Sequence, residues 1–219
     1  NSGKKSLSMD LRKDKGKEIL RQLVEVSDVL LQNFRPGTIE KMGFGYDVLK
    51  EINPKIIMVN VSGFGQFGPY SERIGVDPIG QTISGITMVT GEPDMPPIRT
   101  GVPIIDRITA LHSSIGTMAA LLERQVSGEG QSIDVCLADT GYSLTEIPIT
   151  AYHGTKVAPE RGEDAGRGAT GGIYPCKGGW VMITAGSQPQ WPRVCDAIGR
   201  PEWKEDPRFE SRHARGDNR

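Results

Sequence analysis

The chain has 219 residues, 37% of them hydrophobic and 24% charged, with 26 basic against 27 acidic side chains and a net charge of −1. That balance gives no support to a general nucleic-acid or membrane surface, and no apolar run approaches the roughly 18 residues a membrane span requires. Cys136, Cys176 and Cys195 are dispersed and odd in number, and His112, His153 and His213 show no metal-ligand spacing. Reduced thiols in the cytoplasm or the mitochondrial matrix are the expectation, not a disulfide frame or a zinc site. No signal-peptide pattern opens the chain. It starts at Asn1 in a strand-like segment and stops at Arg219 in a charged run, so it reads as a fragment.

Ser6 to Asp10 alternates apolar and polar residues as a short strand does. Lys13 to Glu25 is helical in pattern, with Ile19, Leu20, Leu23 and Val24 on one face. Val29 to Leu31 is a buried-type strand running into Asn33-Phe34-Arg35-Pro36-Gly37. Short helices follow over Thr38 to Met42 and Tyr46 to Ile52, and Ile56 to Ser62 is the strongest strand in the chain. Strands alternating with helices predict a parallel sheet with crossover helices.

Gly63-Phe64-Gly65-Gln66-Phe67-Gly68 matches G-x-G-x-x-G behind a strand. A dinucleotide site also needs a helix N-terminus there to hold the pyrophosphate. Pro69 to Arg73 follows instead, with no helical period until Asp77, so the motif lacks its context. Asp77 to Val89 reads as one helix rich in small residues (Gly80, Ser84, Gly85), which permits close backbone packing.

The proline-rich stretch from Glu92 leads through Gly101-Val102-Pro103-Ile104-Ile105 to Asp106. Behind it lies an amphipathic helix with Ile108, Leu111, Ile115, Met118 and Leu122 along one face. Asp106 has two readings from position alone: the N-cap of that helix, or a nucleophile at the mouth of a cleft. Ser132 to Leu137 is a further strand and Asp139 to Tyr152 a further helix. His153 to Gly172 is polar and glycine-rich, as a linker or loop is. Trp180 to Thr184 is then a strand and Pro189 to Ile198 a helix.

Several stretches together resemble the class III CoA-transferases of the CaiB/BaiF type, which include formyl-CoA transferases, carnitine CoA-transferases and succinate–hydroxymethylglutarate CoA-transferase. They are Asn33 to Gly37, Met42-Gly43-Phe44-Gly45-Tyr46, Ile52-Asn53-Pro54, Ser62 to Tyr70, Ser84-Gly85-Ile86 with Thr90-Gly91, Gly101-Val102 leading to Asp106, Gly128 to Gln131, and Ile198 to Trp203. Their order and spacing carry the match over nearly the whole chain.

The resemblance implies that Asp106 attacks the acyl-CoA thioester, giving an aspartyl anhydride, then an aspartyl-CoA thioester, then transfer of CoA to an acceptor acid. It implies CoA as substrate with no other cofactor, acyl-CoA and a small carboxylic acid as partners, and a homodimer, interlocked in the family. By position, Met9, Arg12, Asn33, Phe34 and Lys41 match the family's CoA contacts, Phe34 against the adenine and the two basic residues toward phosphates. Solvated basic side chains and a packed Phe34 are the competing readings.

Racemases of the same superfamily pair a histidine with the aspartate; here the histidine position is Val76, which carries no proton, so transfer is favoured over two-base chemistry. A non-catalytic CoA-binding module is the other alternative. Gly166 to Gly172 resembles the glycine loop of formyl-CoA transferases but is interrupted by Arg167, Ala169 and Thr170, and Arg167 is a candidate contact for an acceptor carboxylate. The expected architecture is α/β. A Rossmann-like parallel-sheet domain covers residues 1–150 with its N-terminal part missing. A linker and glycine-rich loop cover 151–176, and the start of a smaller α/β domain covers 177–219.

Overall fold

A computed structural model describes residues 3–159, 161–162, 171–185 and 187–218. The elements of the first part are α1 (Asp14–Glu25), β1 (Val29–Gln32), α2 (Thr38–Lys41), α3 (Tyr46–Ile52), β2 (Ile57–Ser62), α4 (Asp77–Ile83), α5 (Ile86–Val89), α6 (Ile104–Ser127), β3 (Ser132–Cys136) and α7 (Leu137–Leu144). After these come α8 (Glu146–Thr155), β4 (Gly171–Cys176), β5 (Gly179–Thr184), α9 (Trp191–Ala197) and α10 (Arg212–Asp217). The chain divides into two compact units. One takes the described residues up to Ser84 with Thr100–Leu144; the other takes Gly85–Arg99 and the described residues from Thr145 onward.

The first unit is built on a parallel sheet in the order β1-β2-β3, with Val29 opposite Ile57 and Met58 opposite Ser132. The expected α/β class is therefore what forms. Central β2 is buried almost throughout, which is why it reads as a continuous apolar run. On one side, Met58 and Ile56 pack with Val24 of α1, Ile39 of α2, Leu49 of α3 and Phe44 from the turn between α2 and α3. On the other, Ile57 and Val59 pack with Ala120 of α6.

Helix α6 departs from the expectation built on its apolar spacing. Its buried residues are Ile105, Thr109, Ser113 and Ala120, a row of mostly small side chains that lets the helix lie close on the sheet. The large residues face outward: Leu111, Ile115, Met118, Leu122 and Val126 are 57%, 59%, 57%, 64% and 91% exposed. The side against the sheet is chosen by close approach, with Gly116 set against Ile133.

Ser6 to Asp10 forms no strand, since no neighbouring strand pairs its backbone groups. The single helix expected over 77–89 is two, broken where Gly85 takes a left-handed φ of 84°. The helix expected over 139–152 is likewise divided, at Thr145. In the second unit β4 and β5 form an antiparallel hairpin; β4 opens at Gly171, within the stretch that reads as linker. The Phe209 ring packs at a tilt against both Trp191 of α9 and Trp203.

Candidate active site

Helix α6 connects the two edges of the sheet. Near its end, Arg124 donates from Nη2 to Asp28 Oδ1 at 2.8 Å and from Nη1 to the Lys55 carbonyl at 2.9 Å. Asp28 and Lys55 precede β1 and β2, so this is the amino edge. At its start, Ile105 lies against Gly80 of α4, which also lies against Leu137, the residue that follows β3. Asp106 therefore stands at the carboxyl edge, where Asn33-Phe34 leave β1 and the Gly63 loop leaves β2. Parallel α/β sheets bind ligands outside that edge.

Asp106 is the third residue of α6, not the residue ahead of it, and it does not cap the helix. Asp77 does so from the start of α4. Its Oδ1 accepts from the Ile105 amide at 2.8 Å and from the Asp106 amide at 3.2 Å. Its Oδ2 accepts from Gln81 Nε2 at 2.6 Å, and Gln81 Oε1 accepts from the Thr100 amide at 2.9 Å. Asp77 and Gln81 are both buried, 7% and 1% exposed. The close fit of α4 on α6 depends on Gly80, where a Cβ would lie 2.9 Å from Ile105 Cγ2.

The Asp106 side chain is exposed, and among the described residues nothing hydrogen-bonds its carboxylate. Partial burial of the carboxyl, and then the negative charge of Asp77, raise its pKa above the usual carboxylate value. The amides at the helix start do not offset this, because they are already taken. Ile104 donates its amide to the Val102 carbonyl, and the next two amides go to Asp77.

Phe34 and its loop hang from a buried amide network across the sheet. Gln32 Nε2 donates to Asn60 Oδ1 at 2.8 Å, and Asn60 Nδ2 donates to Ser132 Oγ at 3.0 Å. Gln32 Oε1 accepts from the Phe34 amide at 2.7 Å, which fixes the chain as it leaves β1. Phe34 itself is 41% exposed, so the packed-core reading does not describe it. Asn33 and Lys41 are exposed, Lys41 closing α2. Met9 is half-buried ahead of α1, and Arg12 is exposed and paired with Asp10 at 2.9 Å. The structure thus brings Asn33, Phe34 and Asp106 to one edge, while the described contacts of Arg12 are local.

The Gly63 loop runs to Val76 without a helix, which removes the geometry a dinucleotide pyrophosphate needs. Gly63 and Gly75 close its base, each occupying the space where a Cβ on the other would sit. Asp134 of β3 accepts from the Gln66 amide at 2.7 Å and holds the loop over the sheet edge; burial pushes the Asp134 pKa up.

Asp77, Gln81, Gln32 and Asn60 are the positions that spacing alone did not single out. The available signal was an acid and an amide four residues apart at the start of a helix, one turn on the same face. Arg167 and most of the Gly166 to Gly172 loop lie outside the described residues. A cavity of about 580 Å³, lined by Asp28, Lys55 and Arg124 among others, opens at the amino edge, away from Asp106. Among the described residues no three His, Cys, Asp or Glu side chains gather as metal ligands, and no helix is long and apolar enough to cross a membrane.

The chain is similar to several known proteins. The family described as CoA-transferase family III matches residues 1–219. The succinyl-CoA–D-citramalate CoA-transferase of Chloroflexus aurantiacus is 41% identical over 217 residues, covering 98% of this chain and 54% of that protein. The formyl-CoA:oxalate CoA-transferase of Bradyrhizobium diazoefficiens is 34% identical, covering 98% and 56%. A crystal structure of a CAIB/BAIF family protein from Brucella suis superposes with a TM-score of 0.86 at 35% identity, over 99% of this chain and 57% of that one. The chain spans about half the length of the curated relatives it matches.

Proposed function

Because this chain belongs to CoA-transferase family III, we propose that it moves CoA from an acyl-CoA to a carboxylic acid with Asp106 as the nucleophile. The observation that carries this reading is the division of labour between two aspartates. Asp77 caps α6, so Asp106 at the same helix start keeps a carboxylate with no hydrogen-bond partner among the described residues.

A carboxylate oxygen of Asp106 attacks the thioester carbonyl, the C–S bond breaks, and CoA leaves as thiolate, forming a mixed anhydride between Asp106 and the acyl group. The thiolate then attacks the Asp106 carbonyl carbon and the donor acid leaves as carboxylate. The acceptor carboxylate attacks this aspartyl thioester and expels the thiolate; the thiolate attacks the acceptor acyl carbon and frees Asp106. Every step exchanges one acyl bond for another without redox change or net proton uptake, which is what covalent catalysis by a carboxylate supplies. The sequence of steps calls for no cofactor beyond CoA itself.

Asn33 and Phe34 are the proposed nucleotide contacts, Phe34 offering its ring to the adenine, with Met9, Arg12 and Lys41 as further contacts to CoA. Arg12 would have to leave Asp10 to reach a phosphate. The protein would be a homodimer, for which the exposed apolar row on α6 is the supporting feature. Residues 1–150 would form the CoA-binding domain and 177–219 the start of a smaller one, joined through 151–176.

A racemase is disfavoured. Val76 carries no proton, and the nearby Asp77 carboxylate is buried and committed to backbone amides. The names of the relatives make succinyl-CoA the first donor to try. With succinyl-CoA and isotopically labelled succinate, label is expected to enter succinyl-CoA, and Asp106→Asn is expected to abolish the exchange. Exchange that survives in Asp106→Asn contradicts the reading, as does α-carbon hydrogen exchange without CoA transfer.

A further inference from the structure

We infer that Asp77, tied by Gln81, is the positioning residue of the nucleophile: it caps α6 from outside and so holds Asp106 as the free carboxylate of the pair. The inference rests on the function proposed for Asp106 and goes beyond it. One carboxylate oxygen of Asp77 serves both the Ile105 and Asp106 amides, so the backbone that carries Asp106 is anchored at that residue itself. The other oxygen is taken by Gln81, whose own carbonyl oxygen receives the Thr100 amide. The loop entering α6 and the first turn of α6 are therefore held by one buried pair on α4.

The arrangement also has an electrostatic consequence. Partial burial of the Asp106 carboxyl, and then the buried Asp77 anion beside it, oppose its ionisation, so the resting carboxylate is less stabilised than it would be at a bare helix start. That opposition falls away once the Asp106 charge is consumed in forming the anhydride. A helix start capped by a neutral group would favour the charged, unreacted state instead.

The other charged groups on the elements packed against α6 have different contacts. Asp134 of β3 holds the Gln66 amide, and Asp139 of α7 acts on Asp134 and the Cys136 thiol. On α6 itself Arg107 follows Asp106 and His112 faces Thr140.

The test uses two variants in the intact protein. Asp77→Ala removes the cap and the charge. The exchange Asp77→Asn with Gln81→Glu keeps an acceptor for the two amides while moving the negative charge to position 81, four residues further along α4. Two quantities are read: the titration of the Asp106 carboxyl by carbon-13 NMR of labelled aspartate, assigned with Asp106→Asn, and the rate at which succinyl-CoA acylates Asp106.

The Asp106 midpoint is expected to move to lower pH in both variants. Acylation is expected to fall about a hundredfold in Asp77→Ala, the scale of a misplaced reacting group, and to recover most of that loss in the exchange variant. An Asp106 midpoint that stays put in both variants overturns the inference, as does acylation lost equally in both. Wild-type protein whose Asp106 midpoint responds to Asp77 but which forms no acyl adduct contradicts the proposed function and leaves the coupling of the two aspartates standing.

Discussion

At the scale of single residues, two aspartates share one helix start: Asp77 caps α6, and Asp106 keeps its carboxylate free among the described residues. The sequence placed a carboxylate at the right helix start, and the family resemblance named it. What it did not show is that the capping role belongs to Asp77, 29 positions away, because an N-cap supplied from another element leaves no local pattern. The pKa of Asp106 gives a signed prediction. Its folded-state pKa is raised, so the native state holds the proton to higher pH than the unfolded chain does. Ionisation therefore costs stability as pH rises from the ordinary carboxylate value through the raised one, and that cost is fully present above the raised value. Asp106→Asn removes it. Thermal melts at pH 7 are expected to show the variant no less stable than wild type, with any advantage disappearing in acid below the unfolded-state value. A clear loss of stability at pH 7 would mean that Asp106 serves the fold. The exposure of the side chain keeps the effect small.

At the scale of elements, the sheet was legible and one helix face was not. Strands β1, β2 and β3 and helices α1 to α3 announce themselves through apolar runs, and proline or glycine stops bound α2 and α3. Helix α6 misleads because amphipathicity locates a stripe without saying what covers it. Here Thr109, Ser113, Gly116 and Ala120 let the helix approach the sheet, and that contact outweighs the larger row opposite. The pairing of α4 with α6 depends on the same economy of volume. Gly80→Val would drive its methyls into Ile105 and is expected to cost about 1–3 kcal/mol, as overpacking does. The displaced α4 would carry Asp77 away from its two amides, so acylation should fall with the melting temperature. Wild-type stability and rate in that variant would show that the close fit is not needed.

At the scale of the whole molecule, the chain presents a family III CoA-transferase sheet with a long apolar row in the open. Five large side chains on α6, each more than half exposed, are a surface that burial would stabilise, at about 1.5–3 kcal/mol per side chain fully covered. If the proposed homodimer forms through this row, Ile115→Glu in the intact protein will shift the molar mass in light scattering from dimer toward monomer. An unchanged dimer would place the interface elsewhere. Interface of this kind is hidden from sequence reading because the same spacing serves a core and a partner equally well.

The measurement that bears most directly on the central claim is covalent capture at Asp106. Intact protein is mixed with succinyl-CoA, quenched with hydroxylamine or borohydride, and mapped by peptide mass spectrometry. The account predicts a hydroxamate or a reduced side chain at Asp106 and at no other carboxylate, absent in Asp106→Asn. CoA turnover with Asp106 unmodified, or modification at a different carboxylate, would contradict it.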